Sequence, residues 1–292
     1  MNTTIKIEEV KDFWNLNPCG SYLSNKETEL EYFNEIKNKR YKLEWHIPIA
    51  AKFPNYKNKK VLEIGCGMGI DGSQFAKNGA IYYGIDLTDE GIKLAKENFN
   101  LSGYEGEFNV ANAEDLTFKD NEFDHIYSWG VIHHSPDTEK IVDEIYRVLK
   151  PRGTFCIMVY NRISINYYIE IMFLRKLFRL SLKSKRFTDF LAKLGFDKEK
   201  LYKHRDMYLK NPKITKEQWI SMNTDGPDCP LAKVYNKKEV LKLFHEFENV
   251  RTEVWFFNKY HWGPLSKIIP NNFAKFLGKR CGWHRVVCGL KS

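Results

Sequence analysis

Two carboxylates and three closely spaced glycines are the first residues in this sequence whose spacing predicts a ligand site. Glu63 ends a short β-branched run, and Gly65, Gly67 and Gly69 follow at alternate positions. Asp86 ends the next such run, 21 residues after the first glycine. Glycines leave the backbone bare for a ligand, and an acid about 20 residues further on, at the end of a second strand, reaches ribose hydroxyls. The pattern therefore predicts a cofactor that contains a nucleoside.

The glycine spacing differs from that of a dinucleotide-binding turn. Such a turn has G-x-G-x-x-G, which directs a helix N-terminus at a pyrophosphate. Here the third glycine comes one position earlier, and Glu63 stands two residues before the first glycine. A carboxylate at that place suits an ammonium group better than a diphosphate. We expect a cofactor with a positively charged amino-acid part.

A second group of reactive side chains follows the fourth predicted strand. His133 and His134 stand just beyond this strand, where ligands of open α/β sheets bind. Imidazole titrates near neutral pH, so either residue could act as a general base. The alternative is that one of them only bonds to backbone and shapes the turn. Trp129, in the same segment, is predicted to bind the substrate.

An alternation of strands and helices must position these residues. Strands are predicted at 60–64, 81–86, 107–110, 123–128, 154–160, 250–257 and 285–288. Helices are predicted between them, among them one that begins at Ser135 and Pro136 and one over 237–247. The order predicts an α/β, Rossmann-like sheet of seven strands, with strand seven antiparallel.

The quoted motifs resemble those of a known enzyme family. E-x-G-x-G-x-G after a strand is similar to the first motif of class I S-adenosylmethionine-dependent methyltransferases. W-G-V-I-H-H-S-P-D at 129–137 and R-V-L-K-P-R-G at 147–153 resemble the ubiquinone/menaquinone-biosynthesis (methyltransferase type 11) subgroup. The resemblance covers residues 57–160 and implies S-adenosylmethionine as the cofactor and S-adenosylhomocysteine as the product.

Specific residues are predicted for each part of such a site. In the resembled family Leu87 would lie on the adenine face, and the segment with Ala113 and either Glu114 or Asp115 would pass the adenine edge. Tyr160 is a catalytic candidate, and Asn161 and Tyr235 are candidates for binding the acceptor. The predicted cofactor-binding set is Glu63, Gly65, Gly67, Gly69, Asp86, Leu87, Ala113, Glu114 and Ser128.

The sequence also predicts three regions. Residues 1–56 are rich in aromatic side chains and are predicted to form a helical segment. In related methyltransferases such a segment is a lid over the cofactor. The alternative is that it only covers an edge of the sheet. Residues 57–160 and 235–292 form the methyltransferase domain. Residues 161–234 are predicted to be a helical cap inserted after strand five, and 163–183 has the pattern of a basic amphipathic helix.

Positive charge is concentrated in the predicted cap. Residues 161–216 contain 15 Lys and Arg against 5 Asp and Glu, whereas the rest of the chain carries 31 against 32. Such an excess favours an acidic substrate, an anionic membrane surface or RNA as a partner. The alternative is a solvated surface with no partner.

Other features narrow the class of protein. The sequence does not open with the basic-then-apolar run of a signal peptide. No apolar stretch approaches the roughly 18 residues of a membrane span. The six cysteines form no C-x-x-C pair. We expect a cytoplasmic protein with neither disulfides nor a metal site. The segment after strand four lacks the Asn/Asp-Pro-Pro-aromatic motif with which base methyltransferases grip a flipped base, so a nucleic-acid substrate is disfavoured.

The prediction for the whole protein is methyl transfer to a small molecule. The acceptor would offer an O, N, C or S nucleophile and be anionic or lipid-like, and the transfer would be an in-line displacement with histidine as the base. Two alternatives stay open. The protein could bind S-adenosylmethionine as a non-catalytic subunit, or it could modify RNA through the basic cap.

Overall fold

A seven-stranded sheet forms the centre of the computed structural model, in the order β3-β2-β1-β4-β5-β7-β6. The structure describes residues 5–27, 29–210, 213–226, 228–259, 262 and 266–292. The strands are β1 (Lys60–Ile64), β2 (Ile81–Asp86), β3 (Glu107–Val110), β4 (Phe123–Trp129), β5 (Leu149–Tyr160), β6 (Glu248–Trp255) and β7 (His284–Leu290).

Twelve α-helices are found in the described residues, and a π-helix (Asn166–Leu174) leads directly into the seventh. They are α1 (Ile7–Leu16), α2 (Leu30–Leu43), α3 (Ile47–Ala51), α4 (Ile70–Lys77), α5 (Asp89–Ser102), α6 (Thr138–Val148), α7 (Arg175–Leu182), α8 (Lys185–Lys193), α9 (Lys198–Lys210), α10 (Lys216–Met222), α11 (Lys237–Leu243) and α12 (Asn271–Cys281). No helix in the described ranges is both long enough and apolar enough for a bilayer crossing.

The pairing of the strands confirms the predicted fold. β1 lies parallel to both β2 and β4, β2 is parallel to β3, and β4 is parallel to β5. β7 is antiparallel, and at its end the Lys291 N–H donates to Gly153 O at 2.9 Å while the Arg152 N–H donates to Lys291 O at 3.0 Å. From β1 the chain passes to β2 and β3 on one side and then crosses back to β4 on the other side of β1, so the ligand-binding switch point lies at the carboxyl end of β1.

Burial explains why β1 and β4 could be predicted as strands from their apolar sequences. Val61, Leu62 and Ile64 are at most 1% exposed, and Ile126 and Tyr127 of β4 are fully buried. Strands covered on both faces give nearly continuous apolar runs instead of alternating ones. Glu63 is the buried polar residue of β1 and therefore has a role other than packing.

Predicted boundaries of β4, β6 and β7 were wrong by one or two residues, and three others were wrong by three or more. β5 begins at Leu149 instead of Thr154, because Leu149 pairs with Phe123 across an irregularity in the β4–β5 ladder. α6 begins at Thr138 instead of Ser135, since the side chain of Asp137 accepts from the Lys140 N–H at 3.0 Å and caps the helix. The helix predicted over 237–247 ends at Leu243.

The chain divides into two compact units. The first comprises Met1–Val159, Lys237–Thr252 and Val286–Ser292, and the second comprises Tyr160–Asn236 and Glu253–Arg285. Within the second unit the predicted amphipathic helix is present as the π-helix and α7. The indole N–H of Trp219 donates to Ile171 O at 3.0 Å, and Arg175 pairs with Glu170 at 2.7 Å. These contacts fix the inner face of that helix.

Candidate active site

The turn between β1 and α4 borders open space at its middle glycine. Gly65, Gly67 and Gly69 have φ values of 73°, 49° and 70°, in the left-handed region that favours glycine. A Cβ on Gly65 would lie 2.3 Å from a methyl of Val131, whereas a Cβ on Gly67 would meet nothing within 4 Å. Packing therefore demands glycine at position 65, and the backbone at position 67 is open to a ligand.

Asp86 connects this turn to the end of β2. Its Oδ2 accepts from the Gly67 N–H at 2.8 Å, and its Oδ1 accepts from the backbone N–H and the hydroxyl of Thr88 at 2.9 and 2.6 Å. A carboxylate offers about four acceptor positions. Asp86 therefore has capacity for a further donor on its pocket side while it holds the turn in shape.

A pocket lies in the first unit at the carboxyl ends of the central strands. The predicted residues that line it are Glu63, Gly65, Gly67, Asp86, Leu87, Ala113, Trp129 and His134. Ile7, Val10 and Trp14 of α1 form one wall. Lys11 pairs with Asp89 at 2.8 Å and so attaches α1 to the start of α5. Within the first unit, the structure thus places an N-terminal helix against the pocket.

Arg40 of α2 is a charged pocket residue that the sequence analysis missed. Its guanidinium lines the pocket and donates to Asp71 Oδ2 at 2.9 Å. Asp71 also accepts from the hydroxyls of Tyr127 at 2.9 Å and Tyr41 at 2.8 Å, and its side chain is only 1% exposed. Burial lowers the pKa of Arg40, but Asp71 and Glu44 raise it more, so that the pKa lies well above its ordinary value. Arg40 is a permanent cation at the pocket wall.

Glu63 presents a buried carboxyl group to the same pocket. Its Oε2 accepts from the Tyr82 hydroxyl at 2.6 Å. Burial raises the pKa of Glu63 well above its ordinary value and the nearby charge of Asp71 adds to this, while the Tyr82 hydrogen bond and Arg40 act in the opposite direction. A cationic ligand would favour the ionised form. The pocket therefore offers one fixed cation and one carboxyl whose charge a ligand can change.

The two candidate bases have different surroundings. His134 lines the pocket, and its ring lies 5.1 Å from the ring of Trp14, edge to face. His133 is fully buried and is not among the residues that line the pocket. The two rings are 4.3 Å apart. Of the two histidines, His134 is the one placed where it can reach a ligand.

Comparison with known proteins identifies the part of the chain that carries this pocket. Residues 62–157 match the model of a family described as a methyltransferase domain. Over these residues the chain is similar to a methyltransferase domain. This domain accounts for β1 to β5, the glycine turn and Asp86, and the seven-stranded sheet with an antiparallel last strand is the fold of class I methyltransferases.

Relatives share the methyltransferase domain rather than the whole chain. A fatty-acid O-methyltransferase of Mycolicibacterium smegmatis is 35% identical over 118 residues, which are 40% of this chain and 42% of that protein. A ubiquinone biosynthesis O-methyltransferase of Thiobacillus denitrificans is 32% identical over 115 residues, 39% of this chain and 50% of that protein. The chain thus spans half or less of the length of these two relatives.

A solved structure shows the same fold over nearly the full length. Magnesium protoporphyrin IX methyltransferase of Synechocystis PCC 6803, determined with bound S-adenosylhomocysteine, superposes with a TM-score of 0.56. The match covers 98% of this chain and 100% of that one, at 11% sequence identity. At this identity the likeness concerns the fold.

Three predicted cofactor residues of the methyltransferase domain do not line the pocket. Gly69 is the left-handed residue before α4. Glu114 accepts hydrogen bonds from the Ser135 hydroxyl and the Asp137 N–H, and Ser128 donates to Ile64 O at 3.0 Å. These contacts hold the turn and the loop after β4 in place, and cofactor contacts by the three residues stay predictions.

The catalytic candidate Tyr160 and the predicted acceptor residues Asn161 and Tyr235 belong to the second unit. The Tyr160 hydroxyl donates to Asp225 at 2.7 Å, and its ring stacks on Trp283 with the centroids 4.6 Å apart. Asn161 is fully buried; its amide donates to the carbonyls of Ile163 and Gly282, and its Oδ1 accepts from Arg285 at 2.8 Å. The Tyr235 N–H donates to Tyr160 O at 2.9 Å. Asn161 has a structural role; the catalytic role of Tyr160 and acceptor binding by Asn161 and Tyr235 stay predictions.

Proposed function

We propose that this protein transfers a methyl group from S-adenosylmethionine to a small-molecule acceptor. The observation that carries the proposal is the presence of Glu63, Asp86 and Arg40 around the open backbone of Gly67 in one pocket. A dinucleotide needs hydrogen-bond donors for its diphosphate at this place. An adenosyl amino acid instead needs an anion for its ammonium group, a cation for its carboxylate and an acceptor for its ribose hydroxyls. The pocket matches the second requirement.

Each part of the cofactor has residues that would hold it. Asp86 would accept from the ribose hydroxyls, and Leu87 and Ala113 would contact the adenine. The Glu63 carboxylate would pair with the ammonium group, and Arg40 would pair with the carboxylate in a charge-assisted contact. When bound, S-adenosylmethionine supplies a methyl group that its sulfonium has already activated. The protein's own task is therefore to place and deprotonate the acceptor.

Binding and transfer can be tested together. Calorimetry with S-adenosylmethionine measures binding, and incubation with methyl-labelled cofactor and a small-molecule cell extract measures transfer. We expect micromolar or tighter binding and a label in the small-molecule fraction. Binding without a transferred label would favour a non-catalytic subunit, and a label found only in RNA would favour the RNA-modifying alternative.

His134 is proposed as the base that accepts a proton from the acceptor. Replacing it with asparagine should lower kcat for labelled transfer by roughly 10²-fold or more, since general-base catalysis contributes about 10² to 10⁴. Cofactor affinity should change little. His133→Asn is the matched control, because it alters the adjacent buried ring. If His134→Asn keeps the full rate, or if His133→Asn loses as much kcat with the same folded fraction, His134 is not the base.

Glu63 should make cofactor binding pH-dependent. The pKa of its carboxyl is raised in the free protein, and a bound ammonium group favours the ionised form. Affinity should therefore weaken as the pH falls through this raised pKa, by up to about tenfold per pH unit, with proton release on binding. Calorimetry in buffers of different ionisation enthalpy measures this release. Glu63→Gln should bind more weakly and lose this part of the pH dependence; identical profiles for the two proteins would contradict the assignment.

The acceptor is proposed to be anionic or lipid-like. Two relatives of the domain are named for fatty-acid and ubiquinone-biosynthesis O-methylation. The basic excess in 161–216 supports an acidic partner. Metabolite profiling of a strain without the protein should show accumulation of a compound lighter by one methylene unit. We also propose a cytoplasmic location, supported by six cysteines that form no disulfide.

A further inference from the structure

Exposed apolar side chains recur along each of the two basic helical stretches 166–182 and Lys185–Lys193 of the second unit and at Leu194, which ends the second. These seven residues follow one another at intervals of three or four within each stretch, and their exposed fractions range from 37% to 65%. We call this set the outer face; it comprises Ile169, Phe173, Leu177, Leu180, Phe187, Phe190 and Leu194. The opposite side of the same segments is buried through Tyr167, Ile171, Leu182 and Leu191. The outer face is thus a second apolar side of helices that already have a packed inner side.

Within residues 163–194, the charged side chains that are exposed are all positive. Between residues 163 and 194 the exposed charged side chains are Lys176, Lys183, Lys185, Arg186 and Lys193. The two acidic residues of this range are not exposed. Glu170 pairs with Arg175 at 2.7 Å, and Asp189 accepts from the Tyr202 hydroxyl at 2.8 Å. An apolar stripe with lysine and arginine at its edges is the pattern of helices that lie in a membrane interface.

We propose that the outer face docks on the surface of an anionic lipid bilayer. A second copy of the chain would bring five like charges against five, which opposes association. RNA-binding surfaces stack bases on aromatic rings, whereas four of the seven residues here are Leu or Ile. An anionic bilayer fits both the apolar side chains and the positive charges of this face, because it accepts aliphatic side chains and attracts lysine and arginine. That the bilayer also holds a lipid-like acceptor is a step that rests on the proposed function.

Vesicle flotation tests the docking directly. The full-length protein is mixed with vesicles of phosphatidylcholine alone, or of phosphatidylcholine and phosphatidylglycerol in equal parts. We expect binding to the anionic vesicles and little binding to the neutral ones. Binding should weaken as salt is raised, because salt screens exposed charges. The assay contains no cofactor, so its failure is distinguishable from a failure of methyl transfer.

Two sets of variants separate the apolar and electrostatic contributions. The variant K183Q/K185Q/R186Q should lose on the order of 100-fold in affinity for anionic vesicles, because each charge near such a surface contributes about a factor of five. The variant F173Q/L177Q should lose at least about tenfold. The matched controls are exposed residues elsewhere in the chain, K96Q/K140Q/K238Q and F273Q, which should bind like the parent protein. Circular dichroism checks that each variant is folded.

Three results would overturn the proposal. One is equal binding to neutral and anionic vesicles, and another is unchanged binding by both outer-face variants. The third is absence of binding to the anionic vesicles. Light scattering that shows a dimer lost in F173Q/L177Q would assign the face to a second copy, and a gel shift with RNA lost in K183Q/K185Q/R186Q would assign it to nucleic acid.

Discussion

Replacing Asp86 with alanine is expected to weaken S-adenosylmethionine binding by at least about 100-fold. Hydrogen bonds to a charged group contribute about 1.5 to 3 kcal/mol each, and the variant would lose the proposed ribose contacts. It would also release the Gly67 N–H, which donates to Asp86 at 2.8 Å, and so loosen the turn that borders the ligand. Calorimetry with S-adenosylmethionine and S-adenosylhomocysteine measures the effect.

Two further variants make the Asp86 result specific. Asp86→Asn keeps one acceptor oxygen for the turn, so it should fall between the parent protein and the alanine variant. Asp143→Ala removes an exposed carboxylate of α6 and should leave the affinity unchanged. If Asp86→Ala is folded and binds within about threefold of the parent, Asp86 does not contact the cofactor.

Replacing Arg40 with methionine should reduce both stability and cofactor affinity. Its partner Asp71 is nearly inaccessible, and removal of one member of a buried ion pair costs about 3 to 5 kcal/mol because the other charge is left unpaired. Arg40 is itself 21% exposed, so a loss near 3 kcal/mol in the free energy of unfolding is expected. Urea denaturation measures the stability, and calorimetry measures the affinity for S-adenosylmethionine.

A double variant separates the two roles of Arg40. In Arg40→Met/Asp71→Asn no buried charge is left unpaired, and the amide oxygen can still accept from Tyr41 or Tyr127. Most of the lost stability should therefore return, whereas the affinity should stay low. Lys42→Met, an exposed position two residues further along α2, is the control and should change neither quantity. If the double variant regains both stability and affinity, Arg40 acts only as the partner of Asp71.

Local residue spacing was enough to predict much of the fold and part of the site. The turn at Gly65 and Gly67 and the acid at Asp86 lie close in sequence to the strands that position them. Central strands are buried on both faces, so their sequences are apolar runs that can be recognised without a structure. For the same reason the seven strands and their places along the chain were predicted.

Contacts between distant segments could not be predicted in the same way. Arg40 is one of many cations in an N-terminal helix, and nothing in its immediate neighbours distinguishes it from Lys42. Its partner Asp71 lies 31 residues further along the chain. The adjacent histidines likewise could not be distinguished from the sequence, because two residues in one turn differ only in the direction of their side chains.

The sequence by itself determined the class of the domain, its central strands and the backbone that borders the ligand, because these depend on periodicity and on glycine at fixed positions. Only the tertiary structure decided which charges meet in the pocket, that His134 and not His133 lines it, and that Glu114 bonds to the loop after β4 and Ser128 to the end of β1. The physical reason is that burial and ion pairing are properties of packed surfaces. Residues that are far apart in the chain form those surfaces together, so the local spacing of residues does not predict them.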